Sequence, residues 1–133
     1  MKIEHIGIAV KDLEASNKLF STIFGQGPYK AESVESEGVN VSFFQLGESK
    51  IELLEATKPE SAIARHIEKR GEGMHHIAFE VPDIMEAFER MKAEGYRPLN
   101  KEPKLGADNK RIFFLHPKET NGVLIELCQE IVE

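Results

Sequence analysis

Alternating apolar and polar or small positions open the chain and return in its second half. Apolar residues occupy every second position from Ile6 to Val10, and the same spacing recurs from Ile77 to Val81. This alternation is typical of a strand that packs one face on a core. Because each run is followed by apolar residues at the spacing of a helix, the pattern predicts two β-α units.

Each of these strands leads into a predicted helix with a cap at both ends. Asp12 and Asp83 stand at the N-cap positions, where a carboxylate accepts a hydrogen bond from an exposed amide of the first helical turn. Gly25 and Gly95 suit the left-handed conformation that is common just after a helix. The spacing therefore predicts helices over Leu13–Phe24 and Ile84–Glu94.

A connecting helix and further strands complete the predicted elements. Thr57-Lys58-Pro59-Glu60 has capping-box spacing with a proline near the first turn, which predicts a helix over Ala62–Arg70. Each half is then expected to have the order β-α-β-β-β, in the α+β class. The other strands are predicted at Tyr29–Val34, Asn40–Leu46, Lys50–Leu54, Arg97–Leu99, Arg111–Leu115 and Gly122–Cys128.

An internal repeat relates the two halves. The segment His5–Asp12 aligns with His76–Asp83 at a constant offset of 71, with His, Ile, Val and Asp identical. Ile51-Glu52-Leu53 aligns with Ile125-Glu126-Leu127 at an offset of 74. We therefore predict one domain over residues 1–133, with module one at about 1–56, a connecting segment at about 57–72 and module two at about 73–133.

Composition narrows the class of protein. The 133 residues are 41% hydrophobic and 30% charged, as in globular proteins, and no stretch approaches the roughly 20 apolar residues that cross a bilayer. A net charge of -6 argues against a nucleic-acid-binding surface, because phosphate binding relies on clustered lysine and arginine. A single cysteine, Cys128, and a start without signal-peptide features predict a cytoplasmic protein without a membrane partner.

Two histidines and two glutamates occupy equivalent positions of the repeat. Strand alternation places His5 and His76 on the face opposite the apolar residues, and Glu52 and Glu126 lie between apolar neighbours that pack the other way. An inward carboxylate is rarely without a partner, because its desolvation costs several kcal/mol. Two imidazoles and two carboxylates suit a divalent ion such as Co, Mn, Ni, Fe or Zn. The alternative for each residue alone is an ordinary hydrogen-bonded side chain.

Other polar residues have a weaker claim to function. His66 is expected to be a partly exposed helix residue, His75 to face away from the site, and Cys128 to be a small buried apolar residue. A basic run in the second half has two interpretations, a site for an anionic substrate tail or a solvated surface. It comprises Lys101, Lys104, Lys110, Arg111 and Lys118.

The strand beginning at His5 and two segments of the second half, Glu102–Gly106 and His116–Lys118, resemble a known family. The strand resembles the vicinal oxygen chelate, or glyoxalase-like, superfamily. The two segments resemble the methylmalonyl-CoA epimerase family within it. The resemblance extends over nearly the whole chain and implies two tandem βαβββ modules that form a cleft around a metal, usually in a homodimer.

The resemblance also implies a site and a reaction. The implied ligands are His5, Glu52, His76 and Glu126, with Co²⁺ favoured and Mn²⁺, Ni²⁺ or Zn²⁺ as alternatives. The implied substrate is a CoA thioester, whose (R)- and (S)-methylmalonyl epimers interconvert when the C2 proton is removed through a metal-stabilised enolate. Glu126 is the stronger candidate for the base and Glu52 the other catalytic candidate. Lys104 and Lys118 are candidates for substrate binding.

Two questions stay open at this point. Several relatives carry a glutamate a few residues after the Gly-Val of the second strand, where this chain has Gly38–Ser42. The second base is therefore Glu52, a metal-bound water or another residue. Two other functions also fit the superfamily: a glyoxalase I-type lactoylglutathione lyase and a metal-free small-molecule-binding protein.

Overall fold

The computed structural model describes residues 1–132, which form eight strands and three α-helices, with short 3-10 helices at Glu35–Glu37 and Pro117–Glu119. The elements are β1 (Lys2–Ala9), α1 (Leu13–Phe24), β2 (Lys30–Val34), β3 (Val39–Leu46), β4 (Ser49–Ala56), α2 (Ala62–Arg70), β5 (Gly73–Glu80), α3 (Ile84–Ala93), β6 (Lys104–Gly106), β7 (Lys110–Leu115) and β8 (Ile125–Glu130). Within these residues, no helix combines the length and apolar content needed to span a membrane. The predicted βαβββ order of both halves is confirmed.

The chain divides into two compact units, His5–His75 and a second one made of Met1–Glu4 and the chain from His76 onward. In the His5–His75 unit the strand order is β2-β3-β4-β1, with β1 parallel to β4 and the other pairs antiparallel. Helix α1 covers one face, where Phe24 stacks edge-on against Phe44 with ring centroids 5.3 Å apart. Ile8 of β1 and Leu53 of β4 belong to the same core, so the apolar face of β1 packs against α1 as predicted.

The other unit repeats the arrangement with the strand order β5-β8-β7-β6. Strand β5 runs parallel to β8, while β7 is antiparallel to both β8 and β6. Helix α3 packs on one face through Phe88, whose ring meets Phe113 edge-on at 5.1 Å. Because Phe113 is fully buried and Ile84 and Leu127 lie in the same cluster, this core is closed to solvent.

The helix bounds agree closely with the predictions from sequence. The bounds of α1 and α2 are those predicted, and α3 ends at Ala93, one residue early. Asp12 and Asp83 accept hydrogen bonds from amides three residues on, both at 3.1 Å. Gly25 adopts the left-handed conformation, with φ 70°. One cap was wrongly predicted: Ser61, and not the Thr57 segment, caps α2 by accepting from the Ala64 amide at 3.1 Å.

Two strand predictions in the second half are wrong. Arg97–Leu99 is not a strand but makes one bridge, from Pro98 to Leu115, because proline has no N–H to continue a ladder. Strand β6 instead lies at Lys104–Gly106. The last strand starts at Ile125, three residues later than predicted, because Asn121 and Gly122 both have positive φ in a turn.

A cap that no local pattern predicted recurs in both units. The Leu13 amide at the start of α1 donates to Glu55 Oε2 at 2.9 Å, and the Ile84 amide at the start of α3 donates to Gln129 Oε1 at 2.8 Å. Glu55 and Gln129 occupy equivalent places at the ends of β4 and β8. The repeat thus extends to side chains that tie each helix to the strand carrying a candidate glutamate.

Candidate metal centre

The first candidate pair lies in the His5–His75 unit. Gly7 on β1 pairs with Glu52 on β4, so His5, two residues before Gly7, has its side chain on the same face as Glu52. His5 Nδ1 lies 3.1 Å from Glu52 Oε2, and the two side chains are 5% and 4% exposed. The predicted inward orientation of both residues is therefore correct.

The second pair occupies the equivalent place in the other unit. Ala78 on β5 pairs with Glu126 on β8, which puts His76 and Glu126 on one face. His76 Nε2 lies 3.2 Å from Glu126 Oε1, and both side chains are 6% exposed. The Phe114 ring contacts the His76 ring edge-on at 5.8 Å, which restricts the rotation of the imidazole.

Both glutamates have the same kind of strand neighbours. Glu52 lies between Gly7 and Phe43, and Glu126 lies between Ala78 and Phe114. The small residue on one side leaves room beside the carboxylate, and the aromatic ring on the other side keeps water away. Because β4 and β8 each have hydrogen-bonded neighbours on both sides, each carboxylate projects from a rigid backbone.

The residues of each pair fit a divalent cation. Two ligands about 2.1 Å from one ion and at right angles to each other are about 3.0 Å apart, close to both the 3.1 Å and the 3.2 Å contacts. Imidazole nitrogen and carboxylate oxygen suit Co, Mn, Ni or Zn. All four side chains are buried, so water competes little with them as ligands. Each unit therefore has one nitrogen and one oxygen donor suited to such an ion.

The two lysines proposed for substrate binding have different surroundings. Lys104 pairs with Ile112, and Ile112 with Cys128, so Lys104 lies half-buried on the face that carries Glu126. Lys118 is exposed in the 3-10 helix after β7, where its amide donates to His116 Nδ1 at 3.2 Å.

The surroundings of the remaining candidates, His66 and Cys128, indicate structural roles. His66 is half-buried on α2, and its ring meets His75 edge-on at 5.0 Å. Burial, with a smaller effect of Arg70, lowers the pKa of His66. Cys128 is fully buried as predicted, and burial, followed by the charge of Glu126, raises the pKa of its thiol. A thiol in this setting is a poor nucleophile.

Sequence reasoning missed a buried ion pair in the unit that contains Glu126. Glu4 and Lys110 have side chains only 4% and 5% exposed, and Lys110 Nζ lies 3.9 Å from Glu4 Oε2. Neither interpretation of the basic run therefore describes Lys110, whereas its exposed neighbour Arg111 belongs to a solvated surface. One signal was present: alternation puts Glu4 on the same strand face as Ile6 and Ile8, where a charge is out of place.

The chain is similar to known proteins in both sequence and structure. The model of the glyoxalase/bleomycin resistance protein/dioxygenase superfamily matches residues 4–114. The chain is 42% identical over 130 residues to the ethylmalonyl-CoA/methylmalonyl-CoA epimerase of Cereibacter sphaeroides, covering 96% of this chain and 97% of that protein. It is 40% identical over 129 residues to the mitochondrial methylmalonyl-CoA epimerase of Homo sapiens, covering 96% and 73%. A Streptomyces coelicolor methylmalonyl-CoA epimerase variant in complex with 2-nitronate-propionyl-CoA superposes with a TM-score of 0.95 at 36% identity, over 99% of this chain and 96% of that one.

Proposed function

The chain belongs to the glyoxalase/bleomycin resistance protein/dioxygenase superfamily and to its methylmalonyl-CoA epimerase family, and we propose that it interconverts (R)- and (S)-methylmalonyl-CoA. It has the vicinal oxygen chelate fold, with two βαβββ modules. The observation that carries the proposal is the buried histidine–glutamate contact found at the equivalent place in each module. The activity makes the protein an isomerase that acts on a CoA thioester.

The proposed metal centre joins the two pairs around one divalent ion. His5, Glu52, His76 and Glu126 are its ligands in this proposal, with Co²⁺ favoured and Mn²⁺, Ni²⁺ or Zn²⁺ as alternatives. The donor set of two imidazoles and two carboxylates supports it, as does the spacing within each pair. When bound, such an ion would neutralise the negative charge that develops on the thioester and carboxylate oxygens as the C2 proton leaves.

In this proposal, Glu126 and Glu52 transfer the protons. The C2 proton passes to the Glu126 carboxylate, and a protonated acid on the opposite face of C2 gives its proton to that face, which inverts the configuration; both groups then exchange protons with solvent before the next turnover. The Glu126 side chain is only 6% exposed, and electrostatic interactions of a carboxylate are stronger where little water surrounds it. Glu52 is the proposed partner on the opposite face. The position that carries a glutamate in several relatives falls within Gly38–Ser42, where Val41 is buried.

Deuterium exchange at C2 of methylmalonyl-CoA tests the proposal most directly. Purified protein with Co²⁺ is incubated with methylmalonyl-CoA in D₂O, with and without a chelator, and the C2 position is followed by NMR or mass spectrometry. We expect deuterium to enter C2, the exchange to stop when the chelator is added, and activity to return with excess Co²⁺. A substrate that keeps its C2 proton in the presence of metal-loaded protein would refute the assignment.

The same preparation distinguishes the two other functions of the superfamily. A lactoylglutathione lyase would convert a glutathione hemithioacetal and leave the stereochemistry of methylmalonyl-CoA unchanged. A metal-free binding protein would contain no stoichiometric metal on elemental analysis and would turn over neither compound.

Further properties belong to the same proposal. Lys104 and Lys118 contact the substrate, with Lys104 supported by its place on the face that carries Glu126. Residues 1–133 act as a single domain, with module one at about 1–56 and module two at about 73–133, in a homodimer. A cytoplasmic location is supported by the single cysteine, which is buried and cannot form an internal disulfide.

A further inference from the structure

Two buried charged side chains and one partly buried carboxylate lie close together in the unit that contains Glu126. Lys110 Nζ lies 3.9 Å from Glu4 Oε2 and 3.4 Å from Asp108 Oδ2, and it also donates to the Asp108 carbonyl oxygen at 3.4 Å. The side chains of Lys110 and Glu4 are nearly inaccessible, and that of Asp108 is 15% exposed. Asp108 and Asn109 both have positive φ in the turn between β6 and β7, so the Lys110 ammonium also holds a tight turn.

A buried ion pair of this kind is not explained by stability alone. Removing two charges from water costs about as much as their attraction returns, and apolar residues of similar volume often stabilise a core equally well. The pair instead restricts the position of the backbone. An ammonium that lies between two carboxylates limits how far the segments that carry these side chains can move apart. The backbone fixed here is the start of β1.

Glu4 is the last residue of the N-terminal segment that belongs to this unit, and the next residue, His5, belongs to the other unit. Its carboxylate is held to β7 through Lys110, although most of β1 pairs with β4. The chain is thus anchored at the residue that precedes a proposed ligand. Because His5 directly follows Glu4, a displacement of Glu4 would also displace the backbone of His5.

We propose that Lys110 is a positioning residue that, through Glu4, anchors the start of β1 and so orients His5 for metal binding. The metal part of this inference rests on the proposed function, whereas the anchoring part does not. Lys110 touches neither substrate nor metal in this proposal.

Hydrogen exchange and cobalt titration test the two parts separately. Lys110→Met keeps the length of the side chain without its charge, and Arg111→Met is the matched control on the exposed neighbour of the same strand. In the metal-free protein, we expect peptides that cover β1 to exchange faster in Lys110→Met and to be unchanged in Arg111→Met. Titration followed by Co²⁺ absorption is expected to give a Kd about 10- to 100-fold higher in Lys110→Met, the usual effect of losing a residue that orients a ligand.

A double variant separates positioning from general stability. Glu4→Gln with Lys110→Met removes both charges, so it is expected to fold at least as well as Lys110→Met and carries the test if that variant does not fold. We expect its Kd for Co²⁺ to stay raised although its Tm recovers. A Kd that returns to the wild-type value as the Tm recovers would overturn the positioning role, and unchanged exchange of β1 in folded Lys110→Met would overturn the anchoring. If the wild-type protein binds no Co²⁺, the proposed metal centre fails, while faster exchange of β1 in Lys110→Met still supports the anchoring.

Discussion

Replacing Glu126 by glutamine tests the catalytic part of the proposal with little disturbance of the fold. Glu126 projects from a strand that is paired on both sides, and its carboxylate lies 3.2 Å from His76 Nε2. The amide that replaces the carboxylate has the same shape and can still hydrogen-bond the imidazole. What is lost is one negative charge in a buried place, with a charge-assisted hydrogen bond worth about 1.5–3 kcal/mol.

The effect on the reaction is expected to be larger than the effect on folding. An amide cannot take up a proton at neutral pH, so the variant loses its general base, and general acid–base catalysis contributes roughly 10²- to 10⁴-fold. This range corresponds to about 2.7–5.4 kcal/mol of transition-state stabilisation, at 1.36 kcal/mol for each tenfold change in rate. We therefore expect Glu126→Gln to incorporate deuterium at C2 at least about 100-fold more slowly than the wild type.

The assay is deuterium incorporation at C2 of methylmalonyl-CoA in D₂O, with circular dichroism as the check on folding. Glu130→Gln is the matched control, because Glu130 is on the same strand and face four residues on but is exposed. We expect the control to exchange at the wild-type rate. If Glu126→Gln incorporates deuterium at the wild-type rate, Glu126 is not part of the mechanism, whatever the rate of the control.

Four other substitutions test the metal centre and the fold. His5→Ala and His76→Ala are each expected to lower the stoichiometric Co²⁺ content to a similar extent, because both residues are buried, occupy equivalent places of the repeat and contact one carboxylate each; elemental analysis measures this, and unchanged metal in both would refute the site. Glu52→Gln is expected to keep bound metal, since an amide oxygen can still coordinate, but to slow the interconversion of the two epimers; an unaltered epimerisation rate would exclude Glu52 as the second acid or base. Ser61→Ala is expected to cost about 1 kcal/mol, with Tm lower by roughly 4 °C in a thermal melt, because the hydrogen bond to the Ala64 amide is lost. Thr57→Ala is its control, and an equal loss there would mean that Ser61 is not the functional cap.

Much of the secondary structure was determined by local patterns in the sequence. The α1 bounds follow from Asp12 and Gly25, because a side-chain oxygen at the start and a left-handed residue at the end act within one turn of the backbone. The inward direction of His5 and Glu126 follows from strand alternation, which has a period of two and needs no knowledge of the partner strand. The candidate ligands could therefore be chosen from the repeat alone.

Features that depend on residues far apart in the chain were decided only by the tertiary structure. Ser61 and Thr57 both have the chemistry of a cap, and which one serves depends on where α2 starts after β4. The strand predicted at Arg97–Leu99 lies instead at Lys104–Gly106, because the pairing partner on β7 sets where a ladder forms. Local spacing contains no information on such partners.

The buried pair of Glu4 and Lys110 shows the same limit most clearly. The two residues are more than 100 positions apart, and glutamate and lysine are residue types that usually lie on the surface. Only the folded chain brings the start of β1 to β7, where burial removes the water that would otherwise solvate both charges. The sequence alone thus determined which residues face inward, through the periodicity of strands and helices. Their partners were decided by the tertiary structure, because pairing depends on long-range contacts that periodicity does not encode.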